Sequence, residues 1–153
     1  MKLGLYSREV MRGSAVIVDV LGGLDVGGDS PTSEDLKQQI REGLPFSVLE
    51  TVTARFSLDL DEVASALDLP SPTLAQREKA RRLRPADSDR LFRLVRVLAE
   101  TVDVLGSEEK ASRWLKAPNR ALGGQTPLSL LDTDPGTQQV EEVLGRIEHG
   151  VFS

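Results

Sequence analysis

Apolar residues recur every three to four positions along most of the chain after residue 33. This spacing places them on one face of an α-helix. The first run, Leu36, Ile40 and Leu44, follows Ser33, a residue type favoured at helix N-caps. The pattern predicts a mainly α fold. Five later runs share the spacing, with apolar residues at Phe46, Leu49, Val52 and Phe56; Val63, Ala64 and Leu67; Leu91, Leu94, Val95, Leu98, Val102 and Leu105; Ala111, Trp114 and Leu115; and Val140, Val143, Leu144 and Ile147.

Two short predicted helices meet at a tight turn near residue 70. Asp59 followed by Glu62 has the spacing of a capping box at the start of the first helix. Leu69-Pro70 ends that helix, Ser71 is a candidate cap for the next, and Pro72 suits a first helical turn. Two helices joined in this way predict a helix-turn-helix, with the second helix placed to enter the major groove of DNA.

The second helix carries side chains that can reach base edges and phosphates. Glutamine pairs bidentately with adenine and arginine with guanine, whereas further basic residues hold the DNA backbone. A single short module binds weakly, so we expect a homodimer that reads two half-sites. The candidate DNA-binding residues are Thr73, Gln76, Arg77, Lys79, Arg81 and Arg82.

Charge is distributed unevenly along the chain, whose formal net charge is −5. Between residues 71 and 96 there are eight basic residues against three acidic ones. This cationic segment indicates either a contact with a polyanion or a solvated helix face. Arg81, Arg82 and Arg84 could accordingly bind phosphates or pair with Asp87 and Asp89.

The remaining segments have clear helix boundaries in the second half and weak ones at the N-terminus. A long helix is predicted over 86–105, followed by a helix capped by Ser107, a short helix over 126–131 and a last helix from Asp134 to Gly150. Residues 1–30 contain the apolar cluster 16–21 and several glycines, which fit a strand and turn or a short tethered helix. We expect this cluster to contribute to dimerisation.

Several function classes are disfavoured by composition. The chain has no cysteine and one histidine, and its residues lack metal-ligand spacing and any nucleophile motif. We therefore expect no catalytic residues, no metal, no cofactor and no enzyme activity. Apolar runs are too short for a membrane span, and the first residues do not form a secretion signal, so a cytoplasmic protein is expected. His149 lies at the end of the last helix, where a cation interacts well with the helix dipole.

The C-terminal third closely resembles a known protein family. The matching residues are Trp114-Leu115, Pro118-Asn119, Leu122-Gly123-Gly124, Thr126-Pro127-Leu128, Leu130-Leu131, Gly136, Val140, Leu144 and the Arg146…His149-Gly150 ending. They resemble the toxin-binding domain of Xre/MbcA/ParS-type antitoxins, and Ser88-Asp89-Arg90-Leu91 resembles that family's long helix after the helix-turn-helix.

The resemblance implies an antitoxin of a type II toxin–antitoxin system, encoded beside a RES-domain toxin that depletes NAD. Such an antitoxin neutralises its toxin by direct contact at the active site, and the complex can repress its own promoter by binding operator double-stranded DNA. We expect an N-terminal segment over 1–44, an Xre-like helix-turn-helix domain over 45–105 and a toxin-binding domain over 106–153. The candidate toxin-binding residues are Trp114, Asn119, Arg120, Gly123, Gly124, Gln125, Thr126, Arg146, His149, Val151, Phe152 and Ser153.

Alternatives remain at three of these positions and for the whole chain. The Gly123-Gly124 loop lets a partner's backbone approach closely, or it is an ordinary turn. The tail 151–153 is an apolar anchor for the toxin pocket or a frayed end, and Trp114 is a core or an interface residue. The alternative function is a helix-turn-helix transcriptional regulator without a toxin partner. A scaffold that uses the C-terminal module to hold some other protein is a third class.

Overall fold

The computed structural model describes residues 33–150 and, before them, residues 16–17 and 20–21. The predicted mainly α fold is confirmed for these residues, which contain no β-strand. The elements of residues 33–150 are α1 (Ser33–Glu42), α2 (Phe46–Arg55), α3 (Leu60–Ala66), α4 (Ser71–Ala80), α5 (Pro85–Leu105), α6 (Glu108–Lys116), the 3-10 helices η1 (Arg120–Leu122) and η2 (Leu128–Asp132), and α7 (Asp134–Glu148).

The long helix α5 forms the centre of the molecule. It packs against α1, α6 and α7. Its residues Leu91, Val95, Val97 and Leu98 are fully buried. The apolar stripe read from the sequence therefore faces one core that serves both halves of the chain.

The two halves also meet at the short helix η2. It packs against both α3, the first helix of the helix-turn-helix, and α7. Gly136, in the first turn of α7, is buried there, and a Cβ at that position would clash with the backbone oxygen of Leu130. This contact requires glycine because of close approach, not because of its backbone angles.

Helix α6 is held against the end of α2 by polar contacts. The Arg55 guanidinium donates to both carboxylate oxygens of Glu108 at 2.6 and 2.9 Å. This pair lowers the pKa of Glu108, and the Ser112 hydroxyl donates to the backbone oxygen of Phe56. Lys116 Nζ donates to the backbone oxygen of Ser57 at 3.0 Å.

Several predicted helix ends are confirmed. Ser107 accepts a hydrogen bond from the Lys110 backbone N–H at 3.1 Å, as expected for an N-cap. The last helix begins at Asp134, with Thr133 as its cap. Thr126 Oγ1 accepts from the Ser129 N–H at 3.2 Å, at the start of the short helix predicted near 126–131.

Three local predictions are wrong. Helix α1 ends at Glu42, before Leu44, because Gly43 adopts a φ of +95° and turns the chain. Asp59 precedes α3 but its side chain makes no capping hydrogen bond, so the predicted capping box does not form. Ser71 is the first residue of α4, and Pro70 occupies the cap position without a side-chain bond.

The N-terminal apolar cluster belongs to the core of its own chain. Val16, Val20 and Leu21 are at most 3% exposed, and Ile17 packs against the same core. Val18 lies outside the described residues. Because these side chains are already covered, the cluster no longer supports the expectation that this segment forms a dimer surface.

The described part of the chain has neither a helix suited to span a membrane nor a cluster of metal-binding side chains. None of its helices combines the length and the apolar character that crossing a bilayer requires. Nor do its histidine and acidic residues gather into a group of three or more that could hold a metal ion.

Candidate functional sites

Helices α3 and α4 form the predicted helix-turn-helix. The turn between them includes Asp68, whose φ is +57°, and the Leu69 N–H donates to the Ala64 backbone oxygen at 2.8 Å. Leu74 faces the core, whereas Gln76 and Lys79 are exposed and Thr73 is half-buried. An amide and an ammonium group therefore project from the outer face of α4, where a DNA groove could receive them.

Arg77 must be removed from the candidate DNA-binding residues. Its Nε donates to Asp87 Oδ2 at 2.7 Å, and the two side chains are 11% and 6% exposed. The same carboxylate oxygen accepts the Arg84 backbone N–H at 3.0 Å. Arg77 thus anchors α4 to the first turn of α5, and a guanidinium held in this way does not reach a base edge.

Most of the cationic segment is paired within the chain. Arg93 lies 3.6 Å from Asp134, and Arg96 lies 3.8 Å from Glu141. Arg90 donates to the backbone oxygen of Leu67 at 3.4 Å. Arg77, Arg81 and Arg82 also have partners, so six of the eight basic side chains of residues 71–96 are paired within the chain. This weakens the argument from charge for nucleic-acid binding.

Arg81 and Arg82 lie just beyond α4, on a segment paired with the chain before α2. The Phe46 N–H donates to the Arg81 oxygen at 3.1 Å, and the Leu83 N–H donates to the Leu44 oxygen at 2.9 Å. Arg82 donates to the Gly43 oxygen at 2.6 Å. This short antiparallel pairing fixes the backbone of both arginines next to the end of α4.

The Arg81 side chain makes a surface ion pair with Glu50 of α2. Its two terminal nitrogens lie 2.7 and 3.5 Å from the Glu50 carboxylate oxygens. This bond raises the pKa of Arg81, and the guanidinium also lies over the Phe46 ring, 5.3 Å from its centroid. The predicted partners Asp87 and Asp89 are not those that Arg81 contacts.

In the C-terminal half, residues 119–126 form a tight loop. Asn119 Oδ1 accepts the Ala121 N–H at 2.9 Å, and the Asn119 backbone bonds with Gly124 and Gln125. Gly123 and Gly124 have φ values of +69° and +85°, and a Cβ on either would point into open space. The glycines are therefore suited to the left-handed backbone of this loop, and Asn119 serves as the loop's organiser.

A concave pocket of about 410 Å³ lies between this loop and α7. It brings together three of the candidate toxin-binding residues, namely Gly123, Gln125 and Arg146. The nearly buried side chains of Leu122 and Val143 also line it, as do Gln139 and Glu142 of α7. Its mixture of apolar, amide and charged groups suits contact with a protein partner.

The other candidate toxin-binding residues lie outside this pocket. Trp114 is half-buried on α6 and packs against the core. Thr126 lines a second groove, of about 340 Å³, between η2 and α3. Arg120 is exposed, and His149 follows α7 with its side chain 76% exposed and 4.0 Å from Glu148. Val151, Phe152 and Ser153 lie outside the described residues.

Sequence reasoning missed two parts of these sites. Gln139 and Glu142 line the pocket, but on the sequence they belong only to the polar face of a helix. Their spacing from Arg146, in multiples of about one turn, is the signal that could have placed them on the same face. No local signal connects Glu50 with Arg81, since they are 31 residues apart.

Comparisons with known proteins agree with both halves of this architecture. A model of the antitoxin Xre-like helix-turn-helix domain matches residues 35–96, and one of the antitoxin Xre/MbcA/ParS C-terminal toxin-binding domain matches residues 101–150. Antitoxin Xre of Yersinia enterocolitica is 34% identical over 131 residues, which cover 84% of this chain and 88% of the relative. Antitoxin Xre of Pseudomonas putida is 42% identical over 120 residues, 76% of this chain and 72% of the relative.

A more distant relative carries a more specific name. The Prs ADP-ribosylating antitoxin of a Sphingobium species is 29% identical over 124 residues, 74% of this chain and 78% of the relative. Fold, surfaces and matches together define an antitoxin with a helix-turn-helix domain and a toxin-binding domain, so its partners are DNA and a toxin protein. The chain belongs to the Xre family of antitoxins.

Proposed function

We propose that this antitoxin neutralises a NAD-degrading RES-domain toxin by binding directly at the toxin's active site. The observation that carries the proposal is the pocket that joins Gly123 and Gln125 of the loop to Arg146 of α7. The exposed residues Arg120 and His149 are near the pocket residues in sequence and are included in the proposed toxin-binding surface. The name of the Sphingobium relative, which includes ADP-ribosylation, fits a toxin that uses NAD as its substrate.

Neutralisation by occupation requires no chemistry from the antitoxin itself. In this proposal the chain acts without turnover and without a cofactor, in the cytoplasm, where its toxin and its DNA are both present. Purified antitoxin that consumed NAD by itself would contradict this part of the proposal.

The test of toxin binding is a pull-down with the protein encoded beside this chain, combined with an assay of NAD consumption. Arg146→Ala should weaken the complex by about tenfold or more, as expected for a central interface residue. Arg113→Ala is the matched control, because Arg113 is 70% exposed on α6, outside the pocket. This placement of the interface would be refuted if both variants lost toxin affinity equally, or if neither lost any.

The tail requires a separate experiment. Deleting residues 151–153 leaves α7 intact, since that helix ends at Glu148. If the tail enters the toxin's active site, the shortened antitoxin should still bind the toxin but should no longer stop NAD consumption. Full neutralisation by the shortened chain would make the tail a frayed end.

For the helix-turn-helix, the proposal is repression of the antitoxin's own promoter by a homodimer. The DNA-facing residues in this proposal are Thr73, Gln76, Lys79, Arg81 and Arg82, without Arg77. Lys79→Gln should weaken binding to the DNA upstream of the gene and reduce its salt slope by about 0.9, the share of one phosphate contact. Sedimentation as a monomer at micromolar concentration, with and without DNA, would refute the homodimer.

The alternative function, a transcriptional regulator without a toxin partner, is disfavoured by the match to a toxin-binding domain. It predicts that the neighbouring gene product neither binds this chain nor consumes NAD. The same pull-down therefore separates the two functions, whatever the result of the DNA-binding experiment.

A further inference from the structure

The ion pair between Glu50 and Arg81 has the exposure of a surface contact. The two side chains are 45% and 55% exposed, and the carboxylate engages the guanidinium through two nitrogens. Glu50 belongs to α2, and Arg81 lies just beyond the recognition helix α4. A carboxylate therefore lies beside one of the arginines proposed to hold the DNA backbone.

We infer that Glu50 sets the affinity of this antitoxin for DNA by competing with a DNA phosphate for the Arg81 guanidinium. The inference rests on the proposed binding of DNA by α4 and the residues that follow it. Carboxylate and phosphate are both recognised by the same fork of guanidinium N–H groups. Arg81 can direct that fork toward one of them at a time, and an unpaired Glu50 would then repel the phosphate.

The surroundings of Arg81 allow such an exchange of partners. Its backbone is fixed at a φ of +57° and accepts the Phe46 N–H, so the residue stays in place while its side chain turns. The guanidinium lies over the fully buried Phe46 ring, 5.3 Å from its centroid, so Glu50 is not its only contact. Exposed ion pairs contribute little to stability, so opening this pair costs the fold little.

The experiment compares Glu50→Gln with the unaltered protein in binding to two short DNA duplexes. One duplex is taken from the region upstream of the gene and the other has a random sequence. Glu50→Gln should tighten binding about two- to fivefold at low salt, the range set by a surface ion pair. The slope of log affinity against log salt should steepen by up to about 0.9, the share of one phosphate contact, because Glu50 no longer draws Arg81 away from its phosphate.

Glu109→Gln is the matched control. It removes the same charge from a side chain that is 82% exposed on α6, away from the recognition helix. The control should leave affinity and salt slope close to those of the unaltered protein. If it tightens binding as much as Glu50→Gln does, net charge explains the effect and the inference is overturned.

A double-mutant cycle tests the competition itself. Arg81→Gln should cost more DNA affinity in the Glu50→Gln background than in the unaltered protein, since Glu50 no longer occupies the guanidinium. Equal costs in both backgrounds would overturn the inference, as would weaker binding by Glu50→Gln, which would mean that Glu50 positions Arg81 for DNA. Thermal unfolding of each variant checks that the fold is retained.

The outcomes also separate this inference from the proposed function. If the unaltered protein binds DNA and Glu50→Gln changes neither the affinity nor the salt slope, only the inferred role of Glu50 is refuted and the proposed DNA binding stands. If neither the unaltered protein nor any variant binds either duplex at low salt, DNA binding is refuted and the inference falls with it.

Discussion

Replacing Arg77 distinguishes an arginine that holds the fold from one that reads DNA. Arg77→Met keeps much of the aliphatic volume but leaves the Asp87 carboxylate, 6% exposed, without its cation. Removing one partner of a buried ion pair costs about 3–5 kcal/mol, because the other charge remains out of water. Asp87 retains the hydrogen bond from the Arg84 N–H, so we expect a loss of about 3 kcal/mol, at the lower end of that range.

That loss is a substantial fraction of the total free energy of unfolding of a small domain, which is about 5–15 kcal/mol. It corresponds to a fall of about 6–12 °C in the melting temperature of a protein of this size. Thermal and urea unfolding, followed by circular dichroism, measure both quantities. At a temperature where the variant is fully folded, its DNA affinity should remain within about twofold of the unaltered protein, a difference of less than 0.5 kcal/mol.

Two further variants test whether the unpaired Asp87 charge causes the loss of stability and whether an exposed basic residue of α4 behaves differently. Arg77→Met combined with Asp87→Leu removes the unpaired charge and should recover part of the lost stability, because the Arg84 N–H loses its acceptor in the double variant. Lys79→Met changes an exposed residue of the same helix, so it should alter stability by no more than about 0.5 kcal/mol while weakening DNA binding. If Arg77→Met melts like the unaltered protein and loses DNA binding, Arg77 contacts DNA and our interpretation of its burial is wrong.

Two other predictions test packing and titration inside the fold. Gly136→Ala should lower the free energy of unfolding by about 1–3 kcal/mol, because its Cβ would meet the Leu130 oxygen. Gly145→Ala in the same helix has open space, so it should be neutral or stabilising by up to about 1 kcal/mol. Equal melting temperatures for the two variants would refute this prediction. Burial and the nearby carboxylate of Glu141 raise the pKa of Glu100 to about 7 from its ordinary 4.5. Between pH 4.5 and about 7, the folded state therefore holds a proton on Glu100 that the unfolded state has released. The stability that this proton contributes is lost as the pH rises through about 7. Glu100→Gln should melt higher than the unaltered protein at pH 8 and about equally at pH 4.5; a pH-independent difference would contradict the shift.

The local elements were largely predictable because their signals lie within a few residues of one another. The stripe from Leu91 to Leu105 predicted α5 to within one residue at its start, since periodicity directly reports which face is buried. Ser107 was recognised as a cap because its hydroxyl bonds three residues ahead. At Asp59, by contrast, the same kind of signal did not produce a side-chain bond, and the Asp59 backbone oxygen accepts the Val63 N–H as in any first helical turn.

The candidate sites were less predictable because a residue type does not reveal its partner. Arg77 has the chemistry of a base-reading residue, and nothing near it in sequence shows that Asp87 will bury it. The pocket between the loop 119–126 and α7 could be anticipated in part, because Gly123, Gln125 and Arg146 were all among the candidate toxin-binding residues. Their meeting across one cavity depends on how α7 packs against the loop.

The sequence by itself determined the helices, the helix-turn-helix and the family, because these follow from short-range periodicity, caps and recognisable residue patterns. The tertiary structure decided which charges remain available to a partner. Packing between helices placed Asp87 against Arg77 and Glu50 against Arg81, and it covered the N-terminal apolar cluster within its own chain. A charged group's role depends on its exposure and its neighbours, and both are set by contacts between residues far apart in the sequence.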